Sequence, residues 1–572
     1  MNKRKNFTIF ANLLLLIVLC FSTLIAQQKS TEKIWIYFKD KNTNVQETLS
    51  KQSKLISERA IKRRQKVLKT GDLISERDIP VTESYINIIK PFVKKIRTKS
   101  KWLNAVSVEA DPAQISEIKA LYFVDKVTPV LTYKRDIPKN ESQENSKKHH
   151  LNKTAVDINY GNSATQLELM NVPALHAMGY YGQGVLICML DDGFNLLNLH
   201  ETFDSLNVVA THDFINNDSS VDDTGTKATE GWHGTKTLSC IAGYTPGGLI
   251  GPAFKASFLL AKTEVDSSET SIEEDYWVAG IEWAEANGAD IVSSSLGYID
   301  WYTPEDMNGH TAVTTIAADI AVNLGMIVVN SAGNEGLSDE HNTLIAPADG
   351  YHVIAVGAVT NTGERSSFSS VGPSADGRIK PDVAAMGSGV YVASSYDTAG
   401  YTFSNGTSFS CPLTSGAIAL LLNAYPQLTP AQVYTAITKT ASQSVSPDNL
   451  LGYGIINIEA AYYSIDTSNL SPDTPQPEIF ELEQNYPNPF NSETTISYSL
   501  YKSAIVEINI YDLQGRKLAS FPQGYLHARV EPYRFSYNFK SYASGVYIYR
   551  VKAKESTGSN ILQKSKKMIF IK

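Results

Sequence analysis

Short runs of apolar residues, most of them followed by a helical pattern, dominate the middle of the chain. They lie at residues 185–190, 289–292, 326–329, 353–359 and 390–394. Apolar residues fill these runs without alternation, which is typical of strands in a parallel sheet that is covered by helices on both faces. The pattern predicts a doubly wound α/β domain, and in such sheets ligands bind beyond the carboxyl ends of the strands.

The segment before this domain has a smaller pattern of its own. Residues 33–38 form a strand-like run, residues 49–67 are typical of a basic helix, and the valines at 106–108 alternate as in a strand. Asp111 caps a further helix, which precedes a last strand at 124–127. Together these elements predict a small β-α-β-type module.

The residues outside the α/β domain and the small module predict a leader peptide, two linkers and a C-terminal domain. Residues 1–26 combine a positive start, a short apolar run and a small residue before polar ones, as a secretory signal peptide does. Residues 136–160 are polar and residues 467–478 are proline-rich, which predicts an exposed linker on each side of the α/β domain. Over residues 479–572 apolar positions recur with period two, which predicts a small all-β sandwich.

The composition is that of an ordinary globular chain with an uneven charge. Of the 572 residues, 42% are hydrophobic and 19% are charged, which excludes a fibrous or wholly disordered protein. Residues 27–160 carry 27 Lys and Arg against 16 Asp and Glu, whereas residues 161–466 carry 8 against 34. An acidic main domain repels nucleic acid, so no nucleic-acid partner is expected. The basic segment has the charge to bind that domain instead.

Four polar motifs fall where the predicted sheet would present them. Asp191 and Asn334 each follow an apolar strand, and His233 and Ser408 each open an apolar helix. A serine hydroxyl becomes a nucleophile when an imidazole takes its proton, and a carboxylate fixes the tautomer of that imidazole. A helix N-terminus and an amide side chain can both donate hydrogen bonds to an oxyanion. Each motif is weak alone, but the four in this order indicate nucleophilic catalysis at a carbonyl.

The motifs resemble those of the subtilisin-like serine proteases, the subtilases, over residues 165–463. The matching pieces are Asp191-Asp-Gly, His233-Gly-Thr, Ser295-Leu-Gly297, Ser331-Ala-Gly-Asn334 and Gly406-Thr-Ser408-Phe-Ser-Cys-Pro412. The resemblance implies that Asp191 is the orienting acid, His233 the general base and Ser408 the nucleophile. It also implies an oxyanion hole formed by Asn334 and the backbone N–H of Ser408.

The same resemblance implies where a substrate would lie. Two segments would line the cleft, bind an extended peptide as an added strand and wall the primary specificity pocket. They are Ser295-Leu296-Gly297 and Ser331-Ala332-Gly333. By the spacing between Asn334 and Pro347, Ile345 would sit at the floor of this pocket and make it shallow.

Two positions depart from the family pattern. Asp192 stands after Asp191, where the family usually has Ser or Thr, so the two carboxylates could couple their titrations and the catalytic role could fall to Asp192. The strand pattern favours Asp191. Lys236 stands where the family often has a second His, at a position outside the triad.

The flanking domains also resemble known modules. The leader, residues 27–135, looks like the inhibitory propeptide of subtilases in its segments Ile79-Pro-Val81, Leu103-Asn-Ala-Val-Ser-Val108 and Phe123-Val-Asp-Lys-Val127. Its charge is opposite to that of the main domain. The tail, with Asn485-Tyr-Pro-Asn-Pro-Phe-Asn491 and Gly545-Val-Tyr-Ile-Tyr-Arg550, resembles the C-terminal sorting domains of the type IX secretion system of Bacteroidetes. An accessory carbohydrate- or protein-binding sandwich is the alternative for the tail. The resemblances imply a zymogen that the type IX machinery exports to the cell surface or the medium, with the leader as its own inhibitor.

Together these features predict a secreted serine endopeptidase whose catalytic domain spans residues 161–466 and cleaves protein or peptide substrates through an acyl-enzyme. Two alternatives stay open, a catalytically silent surface adhesin or binding protein, and an esterase or transpeptidase that uses the same triad. The chemistry requires no cofactor. Subtilases often bind structural calcium, and Asp213, Asp222 and Asp223 offer oxygen ligands, but acidic surface loops are commonly only solvated, so no metal site is assigned.

Overall fold

The computed structural model of the chain describes residues 31–42, 55–69, 72–130, 158–223, 231–265, 271–338, 340–465, 480–482, 484–500, 504–526, 529–555 and 561–572. The predicted signal peptide and nearly all of the two predicted linkers lie outside these residues. The described chain folds into two compact units, one drawn from residues 1–53 and 75–132 and the other from residues 54–74 and 133–572.

The first unit is a four-stranded antiparallel sheet with helices beside it, and its strands lie in the order Lys95–Ser100, Ala105–Ala110, Glu32–Phe38, Val124–Pro129. In chain order the leader contains β1 (Glu32–Phe38), α1 (Glu58–Arg64), α2 (Glu83–Ile89), β2 (Lys95–Ser100), β3 (Ala105–Ala110), α3 (Pro112–Lys119) and β4 (Val124–Pro129), with 3₁₀ turns at Glu76–Asp78 and Lys90–Phe92. Ile36, Val106 and Val108 pack with Ile115 and Ile118 of α3 in its core. Of these elements, α1 belongs to the second unit.

The leader differs from its sequence prediction in three places. The helix predicted over 49–67 is helical only at Glu58–Arg64 within the described residues 55–69. Helix α2 and strand β2 were not predicted. Strand β2 reads Lys-Ile-Arg-Thr-Lys-Ser and has a single apolar side chain, so hydrophobic alternation could not reveal it.

The second unit is built on a seven-stranded parallel sheet, which confirms the predicted doubly wound α/β domain. The strands of this sheet lie in the order Val383–Met386, Ile354–Val359, Ile327–Ser331, Ile291–Ser294, Leu186–Asp191, Ser257–Lys262, Asn207–Asp213. Its strands are β5 (Leu186–Asp191), β6 (Asn207–Asp213), β7 (Tyr244–Thr245), β8 (Leu249–Ile250), β9 (Ser257–Lys262), β10 (Ile291–Ser294), β11 (Ile327–Ser331), β12 (Ile354–Val359), β13 (Val383–Met386), β14 (Val390–Ala393) and β15 (Tyr401–Ser404). Its helices are α4 (Ala164–Glu168), α5 (Val172–Ala177), α6 (Trp232–Ala242), α7 (Ile272–Asn287), α8 (Val313–Asn323), α9 (Thr407–Ala424), α10 (Pro430–Thr440) and α11 (Ile458–Ser464), with 3₁₀ turns at Gly161–Ser163, Glu201–Phe203 and Pro304–Asp306.

One predicted strand does not join the parallel sheet. The run at 390–394 forms β14, which pairs antiparallel with β15 as a separate two-stranded sheet rather than joining the parallel sheet. The short connection between β14 and β15 explains this, because a parallel partner requires a longer crossover. Helix α9 is buried over nearly its whole length, which accounts for its continuous apolar sequence.

The tail is the predicted small all-β domain. It contains β16 (Phe480–Leu482), β17 (Glu493–Leu500), β18 (Ala504–Tyr511), β19 (Lys517–Leu526), β20 (Arg529–Asn538), β21 (Gly545–Glu555) and β22 (Ile561–Phe570) in two antiparallel sheets, β16-β17-β20 and β19-β18-β21-β22. Ile496 and Tyr498 from one sheet share a core with Ile508 and Tyr549 from the other. The helices within the described ranges are all too short or too polar to cross a membrane.

Candidate active site

The carboxyl ends of the parallel strands and two helix starts bring the predicted residues to one cleft. Strand β5 ends at Asp191, and His233 and Ser408 each occupy the second position of their helices, α6 and α9. The side chains of His233, Asn334 and Ser408 line the same cleft. The sheet topology thus explains why residues from distant parts of the sequence meet here.

Asp191 holds the imidazole of His233. The Nδ1 atom of His233 lies 2.6 Å from Oδ1 of Asp191, and the Asp191 side chain is fully buried. On its other oxygen, Asp191 accepts a hydrogen bond of 2.8 Å from the Thr237 hydroxyl. With the Nδ1 proton donated to Asp191, the neutral ring presents Nε2 as an acceptor, which is the form that a general base requires.

Asp192 acts on the backbone of α6 rather than on the ring. Its carboxylate accepts hydrogen bonds from the N–H groups of His233, at 3.2 Å, and Gly234, at 2.8 Å. A Cβ at Gly234 would overlap the carbonyl oxygen of Gly193, so glycine allows the helix start to approach the Asp191 turn this closely. Burial, and then the negative charge of Asp191, raises the pKa of Asp192 to about 7.

Thr407 orients the side chain of Asn334. Both the backbone N–H and the hydroxyl of Thr407 donate to Oδ1 of Asn334, at 2.9 and 3.0 Å. With the amide oxygen engaged on that side, the NH₂ group of Asn334 points away from Thr407. This leaves two donors for a developing oxyanion, the Asn334 amide and the backbone N–H of Ser408 at the start of α9.

The Ser408 hydroxyl lies against the β10 segment of the cleft wall. Its Oγ is 3.4 Å from the carbonyl oxygen of Ser295, and the Ser295 hydroxyl donates to the Ser408 carbonyl at 2.9 Å. Gly406, with φ +149°, precedes the helix and would place a Cβ 3.7 Å from Nδ2 of Asn334. Hydrogen bonds of catalytic groups are often loose without substrate and tighten when it binds.

The predicted substrate segments are only partly exposed to the cleft. Ser295, Leu296, Gly297 and Ser331 line it, together with Ile345. Ala332 is instead buried in a small apolar cluster with Leu344 and Ala346. Gly333 is buried and receives a hydrogen bond from the N–H of Ser370, so this residue and Ala332 shape the wall from behind.

Ile345 fills the space between the two walls. A Cβ built on Gly297 would overlap the Ile345 side chain, and one built on Gly333 would lie 2.9 Å from its Cγ2. The backbone of Ile345 is fixed from both sides, since its N–H donates to the carbonyl of Ala332 at 3.3 Å and the next residue, Ala346, pairs with Tyr298. The space between Gly297 and Gly333 is therefore occupied by the side chain of Ile345.

The described lining of the cleft is acidic. It includes Asp192, Glu264, Asp300 and Glu335, and neither lysine nor arginine lies among the described residues that line it. Carboxylates that line a cleft create a negative potential, which attracts cationic substrates and is weakened by salt.

A lysine at the end of β9 places its ammonium group beside the aspartates that were candidate calcium ligands. The Lys262 ammonium is buried and lies 3.8 Å from Oδ2 of Asp213, and it also contacts Asp223. Asp213 further accepts hydrogen bonds from the backbone N–H groups of Ile215 and Asn216, at 2.7 and 3.0 Å. These residues do not fit a calcium site, because the chain itself supplies the positive charge that a metal would bring.

Comparison with known proteins identifies the family. The family model described as "Subtilase family" matches residues 182–454. Subtilisin NAT from Bacillus subtilis subsp. natto is 30% identical over 368 residues, which cover 64% of this chain and 83% of that protein. The chain belongs to the subtilase family. Subtilisin DY from Bacillus licheniformis is 35% identical over 296 residues, covering 52% of this subtilase and 97% of that protein.

The flanking resemblances are confirmed as well. The family model "Peptidase S8 propeptide domain, Bacteroidota" matches residues 33–149, and "Secretion system C-terminal sorting domain" matches residues 484–569. The sorting domain indicates that this subtilase is exported to the cell surface or the medium. Membership of the family supports a serine peptidase, a hydrolase that is made with a leader.

Three functional contacts escaped the sequence reasoning. The support of Asp191 by Thr237, the backbone contacts of Asp192 and the orientation of Asn334 by Thr407 all depend on tertiary neighbours. A signal existed for two of them. Thr237 lies four positions after His233 on the same face of a helix, and Thr407 directly precedes Ser408.

Proposed function

We propose that this subtilase is a secreted serine endopeptidase, made as a zymogen, that cleaves peptide bonds with Ser408 as nucleophile, His233 as general base and Asp191 as orienting acid. The single observation that carries the proposal is the 2.6 Å hydrogen bond between His233 and Asp191 in the cleft that also holds Ser408 and Asn334. No cofactor enters the reaction, because these side chains supply every proton transfer and charge contact that acyl transfer needs.

In the first half-reaction Nε2 of His233 takes the proton of the Ser408 hydroxyl while Oγ attacks the carbonyl carbon of the scissile bond. Asp191 stabilises the imidazolium that results. The oxyanion accepts hydrogen bonds from the Asn334 amide and the Ser408 backbone N–H. Collapse of the tetrahedral intermediate breaks the C–N bond, and His233 gives its proton to the departing amine.

In the second half-reaction water replaces the amine. His233 takes a proton from the water, whose oxygen attacks the acyl carbon, and the same two donors hold the second oxyanion. Release of the carboxylic acid returns the proton to Ser408, so the enzyme is regenerated without net change.

The occupied gap between the cleft walls suggests the preferred substrate. Because Ile345 fills the space beside Gly297 and Gly333, we propose that the primary pocket accepts small side chains, such as alanine, in preference to phenylalanine. The pairing of the two wall segments with an extended peptide would hold the scissile bond beside Ser408.

The experiment compares the wild type with Ser408→Ala and with Ser367→Ala as a matched control, since Ser367 is exposed on the surface. The leader of every protein is cut off by an unrelated protease at a recognition sequence placed after residue 145 and is then removed. Each protein is treated with a fluorophosphonate probe and assayed for casein cleavage. We expect labelling and cleavage in the wild type and Ser367→Ala, and neither in Ser408→Ala. A folded wild type that neither labels nor cleaves would refute the enzymatic function and favour a binding protein on this scaffold. Cleavage of ester but not peptide substrates would favour the esterase alternative.

A further inference from the structure

Part of the leader folds with the catalytic domain. Residues 54–74 belong to the same compact unit as residues 133–572, whereas residues 1–53 and 75–132 form the other unit. Within this stretch Ser57 caps helix α1, and its own N–H donates to the carbonyl of Ala286 at 2.8 Å. We define the described residues 55–69 as the anchor segment.

Two arginines of the anchor segment bind carbonyl groups of the catalytic domain. Arg63 donates to the carbonyls of Ala289, at 2.6 Å, and Leu324, at 3.3 Å. Arg59 donates to those of Gly288, at 3.0 Å, and Gly184, at 2.6 Å, and it also pairs with Asp290. All of these carbonyls lie in the turns that lead into β5, β10 and β11, so the arginines bind the amino-terminal edge of the sheet.

Glu285 of α7 is the buried centre of the contact. Arg64 binds it through two hydrogen bonds of 2.8 Å, one to each carboxylate oxygen, and Arg63 pairs with it as well. The three side chains are 1% exposed or less. A buried carboxylate that loses its cationic partners is strongly destabilised, and so is a buried guanidinium that loses its carboxylate.

Two glycines of the catalytic domain leave space for the backbone and side chains of the anchor segment. Gly288, at φ +87°, would place a Cβ 2.7 Å from Cβ of Arg59, and Gly325, at φ +88°, would place one 3.1 Å from the carbonyl oxygen of Arg63. Both glycines follow the ends of helices, where the left-handed conformation favours glycine. Here the missing side chains also allow the close approach of α1.

This contact lies at the sheet edge opposite to the triad. Strand β5 runs from Leu186, whose N–H donates to Asp290, to Asp191, which holds His233. At roughly 3.3 Å per residue the strand separates the two sites by about 16 Å. The anchor segment therefore binds the catalytic domain without occupying the cleft.

We propose that the anchor segment is a docking element that binds the amino-terminal edge of the catalytic sheet and keeps the leader on the enzyme after the connecting chain is cut. The occupant of this sheet edge is helix α1 of the anchor segment. It presents arginines to the Glu285 and Asp290 carboxylates and to the backbone carbonyls of three turns. The proposal rests on the proposed function in one respect, that loss of the leader activates the enzyme. Release of the leader would then require breaking the arginine contacts of the anchor segment.

The test uses the full chain with Ser408→Ala, so that no self-cleavage occurs, and with a recognition sequence for an unrelated protease placed after residue 145. The chain is captured by a tag at its C-terminus and cut, and release of the leader is followed over time. Arg63→Met, Arg64→Met and Glu285→Gln remove the buried contact from either side. Lys62→Met is the matched control, because Lys62 is exposed on the same helix and its replacement also removes one positive charge.

We expect each of the three contact variants to release the leader roughly 100-fold faster or more, since losing one partner of a buried charge pair acts mainly on dissociation. Lys62→Met should stay within about twofold of the parent chain, as exposed charges contribute little. If an arginine variant does not fold, Glu285→Gln and the half-exposed Arg59→Gln supply the same comparison. Equal release rates in Glu285→Gln and the parent would overturn the proposal, as would a parent leader that leaves as soon as the chain is cut. Neither outcome depends on Ser408 being the nucleophile, so the two proposals fail separately.

Discussion

The isoleucine between the cleft walls leads to a quantitative prediction about substrate choice. Wild type should cleave a peptide p-nitroanilide with alanine before the scissile bond faster than one with phenylalanine, because Ile345 occupies the space that the ring would need. Ile345→Ala removes three carbons from that space, and Ile345→Gly removes the whole side chain. Full burial of a phenylalanine side chain contributes about 1.5–3 kcal/mol, which corresponds to about 10- to 150-fold in kcat/KM.

The assay measures kcat/KM for the two peptides and compares the phenylalanine-to-alanine ratio among variants. Both substitutions should raise the ratio by about 10- to 150-fold if the opened pocket buries the ring fully, and Ile345→Ala tests the pocket without the backbone freedom that glycine adds. Leu337→Ala is the control, since Leu337 is 59% exposed and does not line the cleft. A wild type that already prefers phenylalanine, or an unchanged ratio in both Ile345 variants, would refute the reasoning.

Three further predictions concern groups around the site. Asn334→Ala should lower kcat by about 100-fold or more with little change in KM, because the proposed contact of the Asn334 NH₂ group with the substrate forms only at the oxyanion; equal effects on both constants would contradict this. Asp192 holds a proton in the folded state that the unfolded chain loses near pH 4, so its contribution to the free energy of unfolding is present below that pH and is lost as pH rises to about 7. The test is urea unfolding at pH 4.5 and 7.5 in the Ser408→Ala background. The free energy of unfolding should fall between these pH values by at most about 4 kcal/mol in the chain that keeps Asp192, and the fall should be absent in Asp192→Asn. Lys262→Met leaves the buried Asp213 without its cation and should lower the free energy of unfolding by about 3–5 kcal/mol, measured by the same titration; a loss below 1 kcal/mol would show that the ammonium is not a structural partner.

The sequence predicted those elements and site residues that depend on a short stretch of chain. Continuous apolar runs predicted β5, β10, β11 and β12. Asp191 at the end of β5 and Asn334 after β11 could be placed at one sheet edge because parallel strands share their direction. The run at 390–394 is equally apolar, yet it forms a hairpin with β15, because its neighbour in the chain is close enough to pair with it. Apolar character therefore indicates burial but does not choose the partner strand.

Contacts between distant residues could not be predicted in this way. Arg63 and Glu285 are 222 positions apart, and a basic stretch on a short helix is usually solvated, so nothing in the pattern distinguished Arg63 and Arg64 from the exposed Lys62 beside them. Thr407 likewise matters because folding brings it to Asn334, 73 positions away. Local sequence predicts which side chains are available, whereas the tertiary fold decides which of them meet.

Lys262 gives the loop around Asp213 a counter-ion that cannot diffuse away. A bound metal stabilises a fold by mass action, and its contribution falls as the free ion is diluted or chelated. An ammonium group on β9 is present at a ratio of one per chain whatever the medium contains, so its pairing with Asp213 and Asp223 does not vary with ion supply. For an exported protein, the charge partner of Asp213 is therefore supplied by the chain itself, whatever the mineral content of its surroundings.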